Sequence, residues 1–120
     1  MRDIQMVLDR WGAWAASYSS GVDYSPIAAG FNGLLPYTSN TRQACSDSDA
    51  LIIAGCLALL KKRKPYENSL IVAHYLYGIS KRKLARARKK DEKLIRIEIQ
   101  MAEGFIDGCL SMLDVKLEME

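Results

Sequence analysis

Residues 78–96 read GISKRKLARARKKDEKLIR, and nine of these nineteen are Lys or Arg, against one Asp and one Glu. Residues 81–96 therefore carry a local charge of +7, while the remainder of the 120-residue chain holds eight basic and twelve acidic groups, a balance of −4. The net charge of +3 conceals this asymmetry. Cations gathered on one stretch can neutralise several phosphates together and release their counterions, which is the chemistry of nucleic-acid contact. The bland alternative is a solvated face. The positions of the apolar residues among the charges weigh between the two.

Those residues fall at helical spacing. Leu84 and Ala85 are the apolar pair of a short helix expected after Ser80 and ending near Ala87. Ile95, Ile99 and Ala102 share one face of a long helix expected from about Glu92. Between them Arg88, Lys89, Lys90 and Asp91 form a turn that ends in a good N-cap. With Tyr75 and Gly78 upstream, the whole reads Tyr-x-x-Gly-Ile-Ser-x-x-x-Leu-Ala, a turn, then Ile-x-x-x-Ile-x-x-Ala. That is helix-turn-helix spacing, in which the second helix offers its N-terminal turns to a major groove. Lys81, Arg82, Lys83, Arg86 and Lys89, with Arg88 and Lys90 beside them, are candidate phosphate contacts, which position without specifying. Glu92, Lys93, Arg96 and Gln100 are the side chains expected to be exposed on the second helix. Of these, Lys93, Arg96 and Gln100 are suited to base edges, Arg to guanine and Gln to adenine.

Other chemistry is poorly supported. Cys45-x-Asp47-x-Asp49 lacks a second ligand cluster, and acids at a helix start are more often capping groups than metal ligands. His74 stands alone on an apolar face and reads as a packed residue. No nucleophile has a recognisable base partner and no phosphate-binding glycine motif occurs, so neither catalysis nor a cofactor is expected. Cys45, Cys56 and Cys109 are widely spaced and odd in number, which suits reduced thiols better than a disulfide framework.

The elements that must hold the basic stretch are helices. Hydrophobic residues at 49% and charged residues at 26% are globular values, and 120 residues suit a single domain over 1–120. The opening MRDIQMVLDRWGAWA places charges inside its apolar pattern, unlike a signal peptide, and ALIIAGCLALL at 50–60 is too short to span a bilayer. A cytoplasmic protein without a membrane partner is expected. Ile4, Val7, Leu8, Trp11, Trp14 and Ala15 recur at helical spacing after a capping Asp3, and the two tryptophans read as core rather than docking residues. Ser25-Pro26 predicts a short helix over 26–31, followed by a long irregular connection at 32–46. A helix from Asp47 or Ser48 ends in Lys61-Lys62-Arg63-Lys64, where cations suit its dipole. Pro65 opens the next, carrying Leu70, Ile71, His74 and Tyr75 to a stop at Gly78. The closing helix is expected to continue through Ile106, Cys109, Leu110, Leu113 and Leu117, either completing the core or extending as a contact surface. No strand is expected. The class is all-α, a compact helical domain with a helix-turn-helix portion at 66–103 and a long closing helix.

Two resemblances add to this reading. Residues 66–103 resemble the tetrahelical helix-turn-helix of sigma factor region four, except that Arg88-Lys89-Lys90 stands where that pattern has hydrophobic-Gly-hydrophobic. The stem of Lys90 is expected to cover the apolar site while its ammonium reaches water. Along the full chain, MRDIQMVLDRWGAWAA, SPIAAGFNGLLP, CSDSDALIIAGCLALLKK and AEGFIDGCLSMLDVKLEME resemble the phage antitermination protein Q family. The basic stretch is where this chain departs most, family members being less rich in Lys and Arg there. The resemblance implies a DNA-binding factor that recognises a late-promoter element in a bacterial host. It implies too that the factor loads on RNA polymerase holoenzyme, core plus sigma, and carries it through terminators. A second copy of the chain on the same DNA is a further partner this allows. Two other readings stay open at this point. One is a promoter-binding activator or repressor without antitermination activity. The other is an interaction module that binds through the apolar C-terminal stripe.

Overall fold

The first helix begins where Asp3 accepts the Met6 amide at 3.1 Å, satisfying one of the donors that a helix start leaves open. In the computed structural model, which describes residues 2–17 and 42–120, this helix (α1) spans Ile4–Ser17. The short helix expected over 26–31, and the connection 32–46 up to residue 41, lie outside the described residues. Next come α2 (Asp47–Arg63), α3 (Pro65–Ile71) continued by a π-helical turn (Val72–Leu76), α4 (Lys81–Arg88) and α5 (Glu92–Leu113). The fold is all-α, as the sequence predicts, with no strand among the described residues. None of the described helices is long and apolar enough to cross a membrane.

Each helix end follows from local chemistry. Ser46 caps α2 by accepting the Asp49 amide, while Asp47 and Asp49 sit at its positive end and Lys61, Lys62 and Arg63 at its negative end. Pro65 starts α3, where its missing N–H costs nothing. Gly78, at φ 70, breaks the chain direction before Ser80 caps α4.

The core forms where α1 lies across the π turn, with α2 and α5 closing the other sides. Trp11 and Trp14 are both buried, as expected, and the Trp14 indole N–H donates to Asp47 at 2.7 Å, joining the end of α1 to the start of α2. Gly12 faces the backbone of the π turn so closely that a Cβ there would sit 1.9 Å from the Tyr75 carbonyl oxygen. That same carbonyl accepts from the Arg42 guanidinium at 2.7 Å. On the far side the Tyr75 hydroxyl donates to buried Glu103 of α5, and burial pushes the phenol well above its ordinary range. His74 is packed, as expected, with Nδ1 donating to the Ile79 carbonyl at 2.8 Å. Burial lowers the pKa of its imidazole.

The C-terminal end differs from expectation. The closing helix stops at Leu113, and Asp114 turns the chain in the left-handed region (φ 53). Residues 115–120 fold back as a non-helical tail, so Leu117 is buried in the core instead of continuing a helical stripe. The tail is held by charge at both ends. Buried Asp49 accepts the amides of Glu118 (2.8 Å) and Met119 (3.0 Å), while Arg2 pairs with Glu120 and with Asp107 at 3.1 Å. Asp49 thus does more than favour a helix start, and no grouping of residues fit for a metal occurs among the described ones.

The Gly12 contact makes a direct prediction. Gly12→Ala must push α1 off the π turn, since neither backbone can yield a contact that short. A loss of about 2–3 kcal/mol is expected, measured as a lower urea midpoint at unchanged m-value.

Candidate nucleic-acid interface

The basic stretch folds as two helices around a short turn. Leu84 and Ala85 point α4 into the core, which leaves Arg82, Lys83 and Arg86 on its outward face. Lys81, Arg82 and Lys83 occupy the first turn of α4, where the helix dipole disfavours cations and where no acid stands. These charges do not help their own helix. Ile95, Ile99 and Ala102 bury α5 as expected, leaving Lys93, Arg96 and Gln100 exposed along one flank. Glu92 is half-buried and pairs with Arg96 at 3.5 Å, one helical turn on.

The turn closes in the manner of a glycine turn without a glycine. Lys89 adopts φ 55 and ψ 45, its amide bonds the Arg86 carbonyl at 3.3 Å, and the Lys90 amide bonds the Ala85 carbonyl at 2.9 Å. These are the two hydrogen bonds of a Schellman motif, usually built on glycine at the position Lys89 fills. Asp91 then caps α5 by accepting the Lys93 amide at 3.0 Å, as the sequence predicts.

The residues on either side of Lys89, which stand where the resembled pattern has apolar residues, both meet one aromatic ring. The Arg88 guanidinium lies 5.7 Å from the centre of the Tyr66 ring and the Lys90 ammonium 4.3 Å from it. Lys90 also donates to the Tyr66 hydroxyl at 2.9 Å and to both oxygens of Glu98 at 3.2 Å. The ammonium of Lys90 is therefore engaged by the protein instead of reaching free into water, and its pKa is raised, first by the hydrogen bond to Tyr66. Arg88 also reaches Ser69 at 3.5 Å. The basic run thus divides into two sets. Arg88 and Lys90 hold the turn to α3, while Arg82, Lys83, Arg86, Lys89, Lys93 and Gln100 are exposed, the cations among them in no ion pair with described residues. Lys81 is half-buried near His74 and Asp9.

Sequence reasoning missed a second stripe on α5. Leu94, Ile97 and Met101 are 44%, 44% and 60% exposed, beside the polar flank of Lys93, Arg96 and Gln100. Their spacing of three and four residues was the available signal, masked by the stronger buried stripe one position along. Burial pushes the thiols of Cys45 and Cys56 up to about 11, far from a nucleophile's range, and the cysteines are free.

Residues 1–118 match the family described as phage antitermination protein Q. The chain belongs to that family. It is similar to the "Probable antitermination protein Q" of Acyrthosiphon pisum secondary endosymbiont phage 1, with 56% identity over 99% of this chain and 81% of the relative. It is similar to the prophage antitermination protein Q homolog QuuD of Escherichia coli K12, at 47% over 100% of this chain and 94% of the relative. Antitermination protein Q of Escherichia phage 933W shares 44% identity across the whole of this chain and 83% of its own length. Among solved structures, transcription antitermination factor Q21 shares the fold, with a TM-score of 0.62 at 17% identity over 92% of this chain and 89% of its own. The antitermination proteins are regulators of transcription, in keeping with the expectation of a non-enzyme.

The turn itself can be tested apart from any ligand. Glycine adopts the left-handed conformation without the Cβ penalty, so Lys89→Gly is expected to raise stability by roughly 1 kcal/mol in urea denaturation.

Proposed function

We propose that this protein binds a late-promoter element of phage DNA through α4, the turn and the first turns of α5. From there it loads on the host RNA polymerase holoenzyme in the bacterial cytoplasm, so that the enzyme reads through terminators. The family supports the antitermination half. The DNA half rests on one observation: five exposed cations, Arg82, Lys83, Arg86, Lys89 and Lys93, flank a single turn and pair with nothing among the described residues. In this reading α4 and α5 act as a helix-turn-helix within residues 66–103 of a single antiterminator domain. Arg82, Lys83, Arg86 and Lys89 grip phosphates, with Lys81 at the edge. Arg88 and Lys90 hold the frame by way of Tyr66, and Lys93, Arg96 and Gln100 meet base edges, Arg96 steered by Glu92.

A factor that travels with polymerase needs a surface besides its DNA face. Leu113 stands 57% exposed at the end of α5 and fits that need, whereas buried Leu117 does not. Leu35, an apolar residue of the connection at 32–46 and the other candidate for such a surface, lies outside the described residues.

Titration of the protein against late-promoter DNA checks the reading. Contacts with roughly six phosphates give a log–log salt slope near −5. Lys83→Ala is expected to weaken specific and random DNA alike, while Arg96→Ala relaxes preference at one base position by about 1–3 kcal/mol. In transcription from the same promoter, readthrough of a distant downstream terminator must rise with the protein present. A flat salt dependence removes the DNA half, and initiation changes without readthrough leave only a promoter-binding regulator.

A further inference from the structure

Away from the basic surface, α2 and α5 leave an open groove between them of about 990 Å³. Ile52, Cys56 and Leu59 form one wall, and Phe105, Cys109 and Met112 the other. Met112 is 87% exposed and Leu59 41%, so large apolar side chains line a space open to solvent. The walls carry no convergent set of polar groups of the kind that orients a small ligand. Their lining residues recur every three to four positions on two helices, the surface against which a third helix packs by ridges and grooves. Gly55 and Gly108 lie on the two walls, and a Cβ built on either meets nothing within 4 Å. The space beside them is open, and small residues let another backbone approach closely.

The charge at one end of the groove says what kind of helix fits. Arg63 and Lys64 line it there, at the close of four consecutive cations from Lys61 to Lys64, exposed and in no ion pair with described residues. We propose that this groove docks an amphipathic helix of a protein partner, apolar along one face and acidic at the end that meets Arg63 and Lys64. A second copy of this chain is the poorer occupant. The apolar stripe it could insert, Leu94, Ile97 and Met101, is flanked by Lys93 and Arg96, which repeat the charge of the groove's end instead of complementing it. The inference does not depend on the DNA reading, because no lining residue of the groove belongs to α4 or the turn. Only the cationic end comes near them, Lys64 standing two residues before Tyr66, which holds Arg88 and Lys90.

The open space beside the glycines supplies the test. Gly108→Leu should project into the groove, since a Cβ there meets nothing within 4 Å, and even raise helix stability, since leucine is the better helix former. A displayed library of helical peptides about 14 residues long, roughly four turns, with apolar positions on one face and randomised ends, is selected against the wild-type protein. Binders are expected to carry Asp or Glu at one end. They are expected to lose roughly tenfold or more in affinity on Gly108→Leu and several fold on Arg63→Glu with Lys64→Glu, while DNA binding by Gly108→Leu is unchanged. Circular dichroism checks the fold of each variant, and Gly55→Leu stands in for Gly108→Leu should the latter fail it. The proposal is overturned if no binder depends on the groove, or if acidic ends are not enriched. It is equally overturned if sedimentation shows a wild-type dimer that Gly108→Leu dissociates, for then the occupant is a second copy.

Discussion

Tyr75 joins three parts of the molecule through two different atoms. Its carbonyl oxygen sits against Gly12 of α1 and accepts from Arg42, and its hydroxyl donates to Glu103 of α5. The π-helical turn aims both groups at once, because a wider turn rotates the following side chains away from their α-helical positions. A buried carboxylate such as Glu103 is tolerable only with a donor in place, so the Tyr75 hydroxyl is a condition on the register of α5. Shift the turn by one residue and both the α1 contact and the anchor of α5 are lost together. The orientation of the basic surface, which rides on α4 and the start of α5, follows from that anchor.

Tyr66 performs the finer adjustment. Arg88 and Lys90 meet over its ring, and Glu98 completes the cluster from α5. Where the pattern this segment resembles pins the turn with two apolar side chains, two cations and an aromatic face pin it here. Lys90 therefore gains two kinds of partner, ring and carboxylate, where an isolated exposed ion pair would contribute little. This division of labour explains how a stretch so rich in like charge can stay folded: some of its cations are neutralised by the protein itself.

Much of this was legible in the sequence, and the failures have physical causes. Caps and breakers placed α4 and α5 well: Ser80 and Asp91 accept backbone amides where expected, and Pro65 and Gly78 bound the helix between. Buried stripes at 84–85 and 95–102 were readable because one face of each helix must leave water. Leu117 was misread since helical periodicity cannot reveal a chain that reverses at Asp114, a residue whose left-handed conformation has no strong sequence signature. The π turn was invisible for the same reason, as Val72–Leu76 carries ordinary helix formers. The fate of Lys90 turned on Tyr66, twenty-four residues upstream, and periodicity within one helix says nothing of such a partner. The groove between α2 and α5 escaped too, because it exists only once two separate helices are set side by side.

The remaining cations are harder to explain by stability. Lys81, Arg82 and Lys83 crowd the positive end of α4, and Lys89 takes a backbone conformation that a side chain disfavours. Neither choice helps the fold, and both could be relieved by common substitutions, an acid in the first turn or a glycine in the turn. A fold that retains such costs on one surface, while Asp3, Ser46 and Asp91 cap α1, α2 and α5, is one in which that surface answers to something besides folding. In the reading proposed above, phosphate is the ligand for which these costs become gains. Its negative charge offsets the repulsion among the cations and suits the positive end of the α4 dipole, where Lys81, Arg82 and Lys83 stand.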